Sequence, residues 1–308
     1  MNQPIVTAIV STYNAERFIR GCLDDLVAQT VFNEIEVLII DSGSPQNESA
    51  ICMEYVRQYP QIKLIRTERE PLYVAWNRAI PLAQGKYLTN ANTDDRHRHD
   101  FMEVMIEALE RHPDVALVYA EQFISHTENE IFEQCKLRGA RLRRLPDYTQ
   151  QELMLRCITG SQPMWRKSLH DEMGFFDINY RIAADYDMWL RFAGKHPFLR
   201  VPGPLGVVFD SPNTISGANN LRLLNLEILS IQKASMYQTP WRDLPGIRKR
   251  LAAELFGRGY QCIEHDRNNR AAEPFIREAI RLDPTNLSFL KTYVIRCIAG
   301  ITNRNSEN

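Results

Sequence analysis

Between residues 4 and 125 the apolar positions alternate between two rhythms. PIVTAIVS (4–11) and EIEVLIIDSG (34–43) are short, nearly continuous apolar runs that end in turn residues. Strands buried on both faces read this way, as in a parallel sheet covered by helices. Between them, AERFIRGCLDDLVAQT sets Phe18, Ile19, Cys22, Leu23, Leu26 and Val27 on one helical face. The alternation continues with a helix in SAICMEYVRQY and a strand at 62–66, then a helix in LYVAWNRAIPLAQG whose later part is perturbed by Pro81. A strand at 86–90, a helix over 100–111 and a strand in VALVYAEQF complete the series. Asp100, with Glu103 three residues on, reads as a capping box. Alternating strands and helices predict an α/β fold of the nucleotide-binding type, a Rossmann-like sheet flanked by helices.

Residues 126–215 are less regular. IFEQCKL reads as a strand, TQQELMLRCI as a helix, YRIAADYDMWLRFAGKHP as a helix ending near Gly194 and Pro197, and PFLRVPGPLGVVFD as short strands broken by Pro and Gly. From about residue 217 the pattern is helical, and Pro240, Pro245 and Gly246 punctuate it. Two domains are expected, residues 1–240 as the α/β domain and 241–308 as a helical C-terminal extension.

Composition narrows the class. Of 308 residues 44% are hydrophobic and 24% charged, with a net charge of −1, so no bulk field favours nucleic acid. The six cysteines have no metal or disulfide spacing and read as buried free thiols of a reducing cytoplasm. No apolar run reaches the ~20 residues that a bilayer requires. The N-terminus lacks the basic and long apolar regions of a signal peptide. A cytoplasmic location is therefore expected.

Three polar clusters fall at carboxyl ends of the expected strands: Thr12, Tyr13 and Asn14; Asp41, Ser42 and Gly43; Asn92, Asp94 and Asp95. Ligands of open α/β sheets sit outside those ends. Adjacent carboxylates at Asp94 and Asp95 repel unless a cation or ligand uses them, and Arg96, His97, Arg98 and His99 follow directly. Arg96 is expected to pair with them or to organise the loop, and His97 and His99 to lie on the surface.

The stretches VTAIVSTYNAERFIRGCLDDLVAQT, EVLIIDSGS, GKYLTNANTDDR and GFFDINYRIAADYDMWLRFA occur in the order and rough spacing of family 2 glycosyltransferases. Over about residues 4–220 the chain resembles that family. The resemblance implies the GT-A fold and an inverting transfer of sugar from a nucleotide-sugar donor, most simply UDP-linked, to a hydroxyl of a glycan or lipid-linked saccharide. It places Asp41 on the base of the nucleotide, with Thr12, Tyr13, Asn14, Asn77 and Asn92 lining the same donor site. NANTDD matches a DxD-type motif with Asn92 at its first position, which implies Asp95 as ligand of Mg²⁺ or Mn²⁺ and Asp94 on the ribose or as a second contact. Asp185 matches the general base, although Ala184 stands where relatives often carry Glu. Asp185 lies in the first turn of its helix, whose dipole favours the ionised form. Asp187 is its rival. Trp165 and Trp189 would either stack on the acceptor sugar or pack in the core, and Asn14 would line the pocket or cap the next helix. Ser211, beside Asp210, stands where the resemblance implies a His in many relatives, so the metal site is expected to be weaker, differently built, or completed by Asp210.

In the C-terminal region, Ala272, Ile276, Ala279 and Pro284 fit the second helix of a tetratricopeptide repeat, with LFGRGYQC as the first. A single repeat must bury its faces on something, so a helical cap packed on the α/β domain or on a second subunit (a homodimer) is expected there, or docking to a protein partner. The tail FLKTYVIRCIAGITNR, with Lys291, Arg296 and Arg304 among apolar residues, would also suit peripheral contact with the inner face of a cell membrane. Two rival readings accompany the first. A nucleotidyltransferase or nucleotide-sugar hydrolase should show a Gly-rich phosphate loop, which STYNAER is not. A non-catalytic scaffold should have lost Asp95 or Asp185, and both are present.

Overall fold

The structure, a computed structural model, describes residues 3–264 and 268–298. The chain divides into two compact units: residues 1–149 with 157–227, and residues 150–156 with 228–308.

The first unit opens with the alternation read from the sequence. It runs β1 (Val6–Thr12), α1 (Glu16–Val27), β2 (Ile35–Asp41), α2 (Glu48–Gln58), β3 (Ile62–Arg66), α3 (Leu72–Leu82), β4 (Tyr87–Asn90), β5 (Arg96–His97), α4 (Phe101–Arg111) and β6 (Leu117–Ser125). Next come α5 (Phe132–Leu137) and β7 (Leu142–Arg143); α6 (Gln150–Leu155) belongs to the second unit. The remainder is β8 (Met164–Arg166), α7 (Leu169–Met173), α8 (Ala184–Ala193), β9 (Phe198–Phe209) and the start of α9 (Leu221–Ser235).

Among the described residues one sheet holds nine strands in the order β3-β2-β1-β4-β8-β6-β9-β5, with β7 on β6. β3, β2, β1 and β4 are parallel, β8 runs against both β4 and β6, and β9 lies parallel to β6. Because β8 is reversed, the carboxyl ends of β1, β2, β3, β4, β6 and β9 all reach one edge, where β8 contributes its amino end. Every residue of β2 is buried, as its apolar run predicts. Its one charged interior residue, Glu36, accepts from Thr7 Oγ1 at 2.7 Å, Lys63 Nζ at 2.6 Å and the Gln84 amide at 2.8 Å, so the buried carboxylate is compensated. The main core joins the sheet to α1, α2 and α4 through Ile19, Leu23, Val37, Ile39, Met105 and Leu109, among others.

Three local expectations are corrected. Residues 131–137 form α5, not a strand: Phe132 and Cys135, three apart, are buried together, and Gln134 Oε1 accepts from the Ile131 amide at 3.1 Å to close the first turn. The capping box at Asp100 does not form. Asp100 pairs with Arg98, and Glu103 accepts from Thr30 Oγ1 at 2.8 Å, so tertiary partners outcompete the local motif. Residues 198–209 make one continuous strand, with two register shifts against β6 between Ala120 and Gln122 that leave Pro202, Gly203 and Leu205 without partners.

The second unit is helical: α6, α9 from Ile228 onward, α10 (Ile247–Glu264), α11 (Asn269–Leu282) and α12 (Leu287–Thr292), followed by a π-helical turn at Tyr293–Ile298. A Cβ added to Gly259 of α10 would lie 2.7 Å from Ile276 Cγ1 and 3.2 Å from the Ala272 carbonyl of α11, so glycine lets this hairpin close tightly. Of the repeat-like positions, Ala272, Ile276 and Ala279 are buried and Pro284 is exposed. The last carbonyls of α6 are satisfied by Gln232 Nε2, 2.9 Å from Met154 O and 3.0 Å from Leu155 O. Arg304 lies outside the described residues.

Candidate active site

At the carboxyl edge, Thr12 and Asp41 are direct neighbours in the β1–β2 register. Asp41 is fully buried. Its Oδ1 accepts from the Ser44 amide at 2.8 Å, its Oδ2 from the Ser49 hydroxyl, and Arg66 Nε stands 3.5 Å from Oδ2. Asp41 thus closes an Asx-type turn over DSGS, and a carboxylate keeps lone pairs beyond these donors. Thr12 Oγ1 and Ser42 Oγ are buried without a hydrogen-bond partner at the same strand ends. Tyr13 is exposed, with the Arg69 guanidinium 3.6 Å from its ring centroid.

Asn14 does not cap α1; its φ is +54°. The helix is capped from across the site. Asn14 N donates to Ser44 Oγ at 3.1 Å, Ala15 N to Glu48 Oε1 at 2.6 Å and Glu16 N to Gln46 Oε1 at 3.2 Å. Glu16 Oε2 accepts in return from Asn47 N at 3.3 Å. Loops 12–16 and 44–48 thus clasp each other, and buried Glu48 stands where a negative charge suits the start of α1.

The adjacent aspartates sit beyond β4. Asp95 is buried; its Oδ1 accepts from the Phe209 amide at 3.1 Å and its Oδ2 from Asn92 Nδ2 at 3.1 Å. Asn92 and Asn90 both reach the Ser161 carbonyl at the amino end of β8, at 3.4 and 2.7 Å. Burial, followed by the neighbouring Asp94 charge, drives the Asp95 carboxyl well above the usual carboxylate range. Burial raises Asp94 as well, and Arg17 opposes it from a distance. The basic run does not neutralise the pair. Arg96 is buried in a two-bond contact with Asp25 of α1, at 2.7 and 2.6 Å, and donates to the Asn129 carbonyl at 2.9 Å. It organises the loop from the far side. Arg98 pairs with Asp100. His97, expected on the surface, is buried with neither ring nitrogen partnered, and burial lowers its pKa to about 4.

A buried carboxylate, Asp95, beside a half-buried one, Asp94, with no basic side chain of the 96–99 run paired to either, fits a hard divalent cation. Among the described residues no group of three or more His, Cys, Asp or Glu side chains surrounds one point. A cation held here would take the rest of its shell from phosphate and water, as Mg²⁺ and Mn²⁺ do. Beyond the ends of β6 and β9, exposed His126 places Nδ1 2.9 Å from the Asp210 carbonyl and 3.8 Å from its carboxylate. Ser211 follows at the position of the missing His.

Asp185 occupies the first turn of α8. Its Oδ1 accepts from Tyr186 N at 2.8 Å and lies 3.1 Å from the Tyr73 hydroxyl, which also approaches the Ile182 carbonyl at 2.7 Å. Tyr73 belongs to the first turn of α3, which follows β3, so Asp185 faces the same sheet edge. Burial raises the Asp185 carboxyl to about 6, the two donors oppose this, and the Glu227 charge adds to it. Asp185 is thus still mostly ionised at neutral pH, despite burial working against the dipole. The rival Asp187 is paired with Arg191 at 2.9 Å, whose guanidinium also binds the Met173 and Phe175 carbonyls.

Three expected site residues lie in the scaffold. Trp165 and Trp189 are buried at 0% and 1% exposure, edge to face at 5.1 Å and packed on Phe176, so neither presents a face to a sugar. Trp165 Nε1 donates to His170 at 3.0 Å. Asn77 spends both ends of its amide on the Phe176 backbone, at 2.8 and 3.0 Å. Sequence reasoning missed Tyr73, Glu48 and Glu227. Only Glu227 carried a signal, as the single acid among the apolar positions of RLLNLEILSIQ.

A mixed sheet flanked by helices, with acidic loops at its carboxyl edge, is the GT-A architecture, and solved structures agree. Staphylococcus aureus TarS residues 1–349, in complex with UDP, superposes with a TM-score of 0.67 at 15% identity, covering 96% of this chain and 88% of that one. Mannosyltransferase PcManGT from Pyrobaculum calidifontis, in complex with GDP-Man and Mn²⁺, gives a TM-score of 0.61 at 16% identity over 96% of this chain and 81% of that one. The family model described as Glycosyl transferase family 2 matches residues 7–173, and the chain belongs to that family. Among curated relatives, a putative glycosyltransferase, EpsH, of Bacillus subtilis (strain 168) is 32% identical over 124 residues, 40% of this chain and 36% of that protein. Chondroitin synthase of Escherichia coli is 24% identical over 198 residues, 64% of this chain and 28% of that protein. The matches thus span about a third of the length of these relatives.

Proposed function

We propose that the chain is an inverting glycosyltransferase that moves a sugar from a nucleotide-sugar, UDP-linked by preference, onto a hydroxyl of a glycan or lipid-linked saccharide. The observation that carries this reading is the gathering of Asp41, the Asp94–Asp95 pair and Asp185 at one sheet edge, each by a different element. Family membership and the GT-A fold support it.

The nucleotide base would sit against Asp41 and Tyr13, in the pocket shaped by the two clasped loops. Asp94 and Asp95 would hold a divalent cation, which supplies charge stabilisation for the departing diphosphate. Asp94 would also contact the ribose. Asp185 acts as general base. Its Oδ1 takes the bonds from Tyr186 N and Tyr73, leaving Oδ2 to receive the proton of the acceptor hydroxyl. As that proton moves, the acceptor oxygen bonds to the anomeric carbon and the bond to the diphosphate oxygen breaks on the opposite face, which inverts the centre. Buried Trp165, Trp189 and Phe176 form the apolar floor that keeps α8 in register with β8.

Catalysis is assigned to the mixed-sheet unit and docking to the helical one, toward a second copy, a protein partner or the cytoplasmic membrane face. No helix among the described residues is long and apolar enough to cross a membrane, so membrane contact would be peripheral.

A thermal-shift panel of UDP-, GDP-, CDP- and dTDP-sugars, with and without Mn²⁺, tests the reading, because ligands of the native state raise its melting temperature. A UDP-sugar with Mn²⁺ should give the largest rise. No rise with any nucleotide-sugar would overturn it.

A further inference from the structure

Three consecutive backbone amides lead into α8, and one side chain takes all of them. Glu227 Oε1 accepts from Arg181 N at 2.8 Å, and its Oε2 accepts from Ile182 N at 2.9 Å and Ala183 N at 2.9 Å. Glu227 is buried, on α9, more than forty residues further along the chain. These three amides precede α8 (Ala184–Ala193), so no carbonyl of the helix serves them, and Glu227 supplies their acceptors. From the other side the Tyr73 hydroxyl reaches the Ile182 carbonyl. Residues 181–183 are therefore gripped on their N–H groups by Glu227 and on a C=O group by Tyr73, and Asp185 follows two positions later.

We infer that Glu227 is a positioning residue for the proposed transfer: it fixes the turn that presents Asp185 and places a second negative charge behind it. The inference rests on the reading of Asp185 as general base. Ala184, the residue before Asp185, carries no charge, and the nearby carboxylate comes from α9. The titratable and charged groups that face Asp185 are Tyr73 of α3, Cys157 and Glu227. Burial raises the Tyr73 and Cys157 pKa values, and the Glu227 carboxylate acts electrostatically to raise that of Asp185. A base held near its turning point by a fixed neighbouring charge is a better proton acceptor than one held far below it.

The test compares Glu227→Gln with the unsubstituted chain and with Asp185→Asn, at saturating donor and metal. Gln keeps one acceptor oxygen and the side-chain volume but removes the charge. Donor KM should stay within about twofold and kcat should fall about tenfold, given that small misplacements of reacting groups cost up to ~100-fold. The acid limb of kcat should move to lower pH, since losing the Glu227 charge eases ionisation of Asp185. Purely structural damage would lower kcat without moving that limb. Amide hydrogen exchange over residues 181–183 gives an independent readout: faster exchange in Glu227→Gln supports the clasp. An unmoved acid limb with unchanged exchange overturns the inference. If Asp185→Asn transfers at the full rate, the base assignment fails instead, and hydrogen exchange still decides whether Glu227 holds the turn.

Discussion

Asp41 and Asp95 are buried at the same sheet edge, Asp95 with half-buried Asp94 beside it, and they differ in the charge that surrounds them. Asp41 has two hydroxyl or amide donors and a guanidinium 3.5 Å away, so its charge is answered from within the protein. Asp94 and Asp95 stand side by side, and the arginines next in sequence turn from them toward Asp25 and Asp100. The difference teaches that the two ends of the site are built for different guests. In the proposed reading, a carboxylate with a cation beside it would meet a neutral group by hydrogen bonding, whereas a pair with neutral donors alone would draw positive charge from the ligand side.

Predictions that break or sharpen this contrast run from large to small. Asp185→Asn should lower transfer by ~10²–10⁴ while nucleotide-sugar binding survives, measured as kcat beside a donor thermal shift. The same residue sets the acid limb: with its carboxyl raised to about 6, activity should climb as pH rises through that value and level off above it. A flat profile from pH 5 to 8 would remove Asp185 from the role.

Asp95→Asn should weaken Mn²⁺ binding by at least the ~10–100-fold seen when metal-site partners are lost, read by titration of the metal in the presence of UDP. The metal-free protein should respond in the opposite sense. The Asp95 carboxyl is raised on folding, so the folded state holds its proton longer, and stability falls as pH climbs from the ordinary carboxylate range through the folded value. Asparagine removes that cost. The metal-free variant should melt higher than the parent at pH 8 and no higher at pH 4. Lower melting at pH 8 would mean that the Phe209 and Asn92 bonds outweigh the repulsion.

Glu48→Ala leaves the Ala15 amide without its acceptor and should cost about 1–3 kcal/mol in chemical denaturation. It should also raise donor KM by loosening loop 12–16. The smallest effect is expected for Asp187→Asn, which loses one half-buried ion pair worth ~0–1 kcal/mol and should leave transfer unchanged. A collapse there equal to that of Asp185→Asn would exchange the two assignments.

The sheet was readable because strands buried on both faces leave unbroken apolar runs, as β1 and β2 do. The site loops were readable because they sit at strand ends. Less accessible was anything decided by distant partners. IFEQCKL is too short for a period to separate strand from helix, and its fate turned on burial of Phe132 with Cys135. Trp165 and Trp189 look alike in sequence whether they face a sugar or each other. Arg96 chose Asp25, seventy-one positions earlier, over the aspartates beside it. Glu48 sits in an Asn- and Gln-rich turn where an acid is usually solvated, and nothing local marked it as the cap of α1.

The mutual grip of loops 12–16 and 44–48 spans about thirty residues of chain, so neither loop owes its shape to its own sequence. That shape is settled when the β1–β2 pair forms, and the conformational entropy of both loops is lost at folding. A nucleotide bound as proposed would meet loops already held by these bonds, which leaves less ordering of the two segments to subtract from its affinity.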